Sequence, residues 1–117
     1  MHAGGRERIM SGIDDFIASL KPGILALAQN TLSDFIAEAE RDAESLLDLA
    51  RADIARWNEL LAAGKLKAAE YQLLLQMQAA TFGMHALTAT GLAQVRIERF
   101  RKALISLVVD SATKLIP

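Results

Sequence analysis

The chain has 117 residues, with 13 Lys and Arg against 14 Asp and Glu for a net charge of −1, and it has no cysteine. That balance excludes a protein whose main work is neutralising a phosphate backbone over a long footprint, and the missing cysteine excludes disulfide staples, thiolate metal centres and thiol nucleophiles. Alanine (21) and leucine (18) fill a third of the positions while proline occurs only 2 times, so helix formers dominate and the expected fold class is all-α.

In chain order, residues 1–7 combine Gly4 and Gly5 with Arg6 and Glu7 and are read as a flexible lead-in. They lack the apolar core of a secretory signal, so the expected compartment is the cytoplasm, with membrane association as the alternative. A first short helix is expected over about 8–20, ended or kinked by Pro22-Gly23, and a second over about 23–62. In the second, Ala28, Leu32, Phe35, Ala39, Ala43, Leu46, Ala50, Ile54, Trp57 and Leu61 repeat with a period of 11 residues. That period is about 3.67 residues per turn, which holds the stripe on one side of a nearly straight helix. A turn is expected at Ala62, Ala63, Gly64 and Lys65, with Trp57 and Tyr71 marking that end. The third helix is then predicted over about 66–115, roughly 75 Å long at 1.5 Å per residue.

Folding at Gly64 sets Leu61 against Leu66, Ile54 against Leu73, Ala50 against Met77, Ala43 against Met84 and Leu32 against Val95. The last helix carries a second apolar stripe, Leu75, Ala79, Phe82, Ala86, Ala89, Ala93, Ile97, Phe100, Leu104 and Leu107, which a single partner helix cannot cover. The expected architecture is therefore a long antiparallel helical hairpin, a short N-terminal helix plus two long helices, assembling into a homo-oligomeric helix bundle from a single domain, residues 1–117. Its simplest form is two hairpins making a four-helix bundle, with Leu75, Ala79, Phe82, Gly83, Ala86 and Ala93 as the oligomer interface.

Residues 71–95 form a run of 25 without a charge, long enough to span a bilayer, but 4 glutamines and His85 within it argue against a membrane span. Gln78, Thr81, His85 and Thr88 share a face at helical spacing, and such a row reads as a polar layer fixing bundle register before it reads as a ligand pocket. Asp34, Glu38, Glu40, Asp42, Glu44 and Asp48 read as a solvated acidic face. The residue three before His85 is Phe82, so no Glu-x-x-His metal pair is present. Arg96, Arg99, Arg101 and Lys102 interleave with Ile97, Phe100, Leu104 and Leu107, which suits pairing with acids of a neighbouring helix or contact with anions or anionic lipid. Phosphate loops, nucleophile elbows and metal-protease motifs are missing, so no enzyme, cofactor or metal is expected. The functional expectation is a non-catalytic, self-associating structural or protein–protein interaction module. The alternative is a peripheral membrane or lipid-surface protein. The expected partners are further copies of the chain or another protein, with a membrane surface as the alternative and nucleic acid not expected.

Overall fold

Proline does not end the first helix. The computed structural model describes residues 4–115, with side chains from residue 12 on, and its first helix, α1, covers Gly4–Thr31 without interruption at Pro22. Phe16, Leu20, Ile24, Ala28 and Leu32 follow one another at intervals of four and all are buried. An interior proline costs about 3 kcal/mol in helix propensity, whereas each large apolar side chain removed from water returns about 1.5–3 kcal/mol, so the row on both sides of Pro22 outweighs it. The helix boundaries expected at 8, 20 and 23 are corrected accordingly. Of the expected lead-in, residues 1–3 lie outside the described residues.

The chain turns instead at 32–35, where Ser33 and Asp34 are exposed and the Phe35 N–H donates to the Leu32 carbonyl at 2.8 Å. Helix α2 follows over Ile36–Ala62. Leu32 and Ala39 are both fully buried, so the 11-residue stripe passes through the turn without losing phase and conceals it in the sequence. An ion pair between Asp14 and Arg51 and a cleft shared by Ile17, Lys21, Ser45 and Asp48 show that α1 and α2 run antiparallel.

Gly64, at φ +75°, makes the turn expected there, and helix α3 occupies Ala68–Ala80. At this end Trp57 and Tyr71 meet edge to face at 5.8 Å, and the Tyr71 hydroxyl donates to Asn58 Oδ1 at 2.6 Å. The predicted helix 66–115 is then broken into three pieces, α3, a short α4 over His85–Ala89, and α5 over Gln94–Thr113. Met84 and Gly91 stand at the two breaks with φ 48° and 81°.

After the second break α5 returns along the molecule. Arg96 Nη2 donates to the Thr31 carbonyl at 3.2 Å, and Gly23 lies against the Leu107 side chain, so α5 is antiparallel to α1. Arg101 reaches the Phe82 carbonyl at the end of α3. With α1 on α2, α2 on α3, α3 on α5 and α5 on α1, the four long helices make an up-down-up-down bundle within one chain, measuring 49 × 31 × 22 Å. The long two-helix hairpin is thereby corrected, because the chain folds back into a bundle that buries part of each apolar stripe. Ile97, Phe100 and Leu104 are fully buried, while Leu73, Met77 and Val95, assigned above to the hairpin contact, are exposed.

Candidate functional site

The most unusual local arrangement is the corner at 81–93. Met84 takes a left-handed conformation that costs an L residue roughly 1–2 kcal/mol, yet its side chain is fully buried. It precedes α4 in the capping position and has no side-chain acceptor for the free amides of the first turn. Asp42 supplies one from α2. Its Oδ1 accepts from the Ala86 N–H at 3.0 Å and its Oδ2 from the Leu87 N–H at 2.8 Å. A job done elsewhere by a neighbouring Ser or Asp is done here by a carboxylate 44 residues away in sequence, and both its oxygens are used.

The sequence places Asp42 on a solvated acidic face with Asp34, Glu38, Glu40, Glu44 and Asp48; its 3% exposure overturns that, and Glu38 and Glu40 are half-buried. The signal was its spacing: Asp42 lies between Ala39, Ala43 and Leu46, on the shoulder of the apolar stripe. Glu44, Asp34 and Asp48 are exposed as expected.

The breaks disperse the row Gln78, Thr81, His85 and Thr88. Gln78 is half-buried on α3, whereas Thr81, His85 and Thr88 are exposed. The Thr81 hydroxyl donates to the Gln78 carbonyl at 2.8 Å and the Thr88 hydroxyl to the Gly83 carbonyl at 3.2 Å, so each closes its own piece of backbone. His85 sits edge to face with Phe82 at 6.1 Å, and a Cβ on Gly83 would come within 2.8 Å of its ring. No group of three or more His, Cys, Asp or Glu able to hold a metal ion occurs among the described residues.

The basic residues separate into two kinds. Arg101 is mostly covered, pairs with Glu98 and donates from Nη2 to the Phe82 carbonyl at 2.7 Å, which ties α5 to the end of α3. Arg96, Arg99 and Lys102 are exposed. Of their expected apolar companions, Ile97, Phe100 and Leu104 face the core and Leu107 is half-buried, while Val95 is exposed beside Arg96. No helix among the described residues is long and apolar enough to cross a membrane.

Of the expected interface residues, Leu75 and Ala79 are buried within the chain, Phe82 and Ala86 are half-buried, and Gly83 and Ala93 are exposed. The opposite face of α3 carries two residues that the sequence pattern assigns to the hairpin contact and the structure leaves open. Leu73 and Met77, one turn apart, are 57% and 62% exposed, with Ala69, Gln72, Gln76 and Ala80 exposed around them. Glu70 at the first turn is the only charged residue on α3. This 13-residue helix thus carries large apolar side chains on its solvent side as well as on its core side.

The fold and this surface define a class, an antiparallel four-helix bundle with a tertiary-capped break between its last two long helices. Neither family models, curated proteins nor solved structures give a match to the chain.

Proposed function

We propose that the protein is a non-catalytic helical interaction module that associates with further copies of itself through the outer face of α3. The observation that carries this reading is the exposed pair Leu73 and Met77 on a face whose one charge is Glu70 at its first turn. Two apolar side chains a turn apart, rimmed by glutamines, gain by removal from water, and they present no charge that would select an oppositely charged partner. Pairing about a twofold axis sets the same patch against itself, which is the commonest way for identical chains to close an assembly. Gln76 and Ala80 extend the patch to a cleft along α5 lined by Glu98, Lys102 and Ile105, where charges of both signs suit a polar rim.

Molar mass by light scattering at two concentrations tests it. The native chain is expected above its 12.7 kDa single-chain mass, and Leu73→Lys with Met77→Lys is expected to return that mass with helicity intact. A native chain that stays single at high concentration defeats the reading. In that event, flotation with anionic vesicles that is lost on Arg99→Glu and Lys102→Glu would move the function to a membrane surface.

A further inference from the structure

We propose that residues 90–93 are an exchange hinge, over which α5 can leave its own bundle and complete the same bundle in a second copy of the chain. The partners of α5 lie chiefly on α1 and α3, with lesser packing on α2 and α4, and include Gly23 against Leu107, Thr31 with Arg96, and Phe82, just past the end of α3, with Arg101. An α5 carried away by a straightened hinge could make every one of these contacts on another copy. Exchange of this kind costs little because the closed and exchanged bundles share their interfaces and differ chiefly at the hinge.

The hinge is a short corner held by local hydrogen bonds and by the half-buried Leu92. Its corner depends on Gly91 at φ 81°, on the Thr90 hydroxyl donating to the Leu87 carbonyl at 2.6 Å, and on the Leu92 N–H donating back to Thr90 Oγ1 at 3.2 Å. Nothing lies within 4 Å of where a Gly91 Cβ would stand, so glycine is required there by the backbone angle and not by space. No proline occurs between α3 and the end of α5, and the apolar spacing Ala86, Ala89, Ala93, Ile97, Phe100, Leu104 runs across 90–93 with helical phase. Straightening the corner therefore joins α4 and α5 into one amphipathic helix. Asp42 keeps hold of the α4 amides throughout, fixing the root of the lever. The hinge is independent of the α3 face, and the test below removes that face from play.

With no cysteine in the chain, Gly23→Cys with Leu107→Cys reports which α5 sits on which α1, read in a Leu73→Lys, Met77→Lys background. Oxidation and a denaturing gel then separate links within a chain from links between chains. The native hinge is expected to give links within the chain. Gly91→Ala, refolded at high concentration, is expected to raise the between-chain fraction about tenfold or more, since alanine disfavours the left-handed corner and favours the continuous helix. Thr90→Ala is expected to act in the same direction while retaining the glycine. Gln94→Pro is expected to abolish the rise, because Gln94 opens α5 and follows Ala93 at φ −57° and ψ 137°, a setting that accepts proline at the corner but not inside a straight helix. Folded Gly91→Ala and Thr90→Ala proteins that link only within chains at every concentration would overturn the hinge.

Discussion

Helix α1 contains Pro22 and does not break, whereas residues 81–93 contain no proline and break twice. In α1, buried residues at intervals of four flank the proline on both sides, so the cost of one lost backbone hydrogen bond is set against a continuous row in the core. In 81–93 the apolar spacing keeps helical phase, but Gly83, Gly91 and three threonines lower helix propensity, and a straight helix would carry Ile97, Phe100 and Leu104 beyond the bundle. The break is held by a partner from elsewhere, the Asp42 carboxylate. Where the two disagree, burial and tertiary capping decide helix limits over composition.

That comparison can be broken at either end. The largest effect is expected from Ile24→Ala, which removes the first large buried side chain after Pro22 and should cost about 3 kcal/mol in denaturant unfolding. A loss below about 1 kcal/mol would mean that packing does not hold α1 together. Asp42→Ala leaves the Ala86 and Leu87 amides without an acceptor and should cost about 2–3 kcal/mol, with Asp42→Asn losing less because one oxygen remains. Amide exchange at residues 86 and 87 should rise ahead of exchange in α2, and equal protection in the variant would show that the cap is dispensable. Pro22→Ala sharpens the α1 side: it should stabilise by about 1–2 kcal/mol, the helix propensity gain reduced by the freer unfolded chain.

The smallest effect concerns pH. Burial pushes the Tyr71 phenol above its ordinary value of 10.0. The folded state therefore favours the protonated form, so this contribution to stability is fully present below about pH 10 and declines as pH rises through the raised value. As the chain has 1 tyrosine, its phenolate absorbance reports this group alone, and it should appear together with unfolding and not before it. Tyr71→Phe should remove that alkaline component while losing about 1 kcal/mol from the hydrogen bond to Asn58.

Much of the fold was legible because the apolar residues of this chain keep strict helical spacing. Gly64 was readable as a turn, whereas the hairpin register expected from it was not, since Leu73, Met77 and Val95 are exposed. The turn at 32–35 was not legible, since Leu32 and Ala39 stay in phase across it. Nor was the outer face of α3: Leu73 and Met77 alternate with the buried Tyr71, Leu75 and Ala79, so large apolar residues fall on two sides of the helix and spacing alone does not say which side meets the core. Asp42 looked like its exposed neighbours because its partner amides exist only once α4 has formed.

By itself the sequence determined that the chain is helical and which positions are able to be core, because alanine, leucine and helical periodicity act through neighbours three and four residues away. The tertiary structure alone decided where the helices end and which stripe each partner covers. Those outcomes depend on groups far apart in sequence, a row of side chains across a proline and a carboxylate reaching 44 residues along the chain, whose free energies arise only when the bundle brings them together.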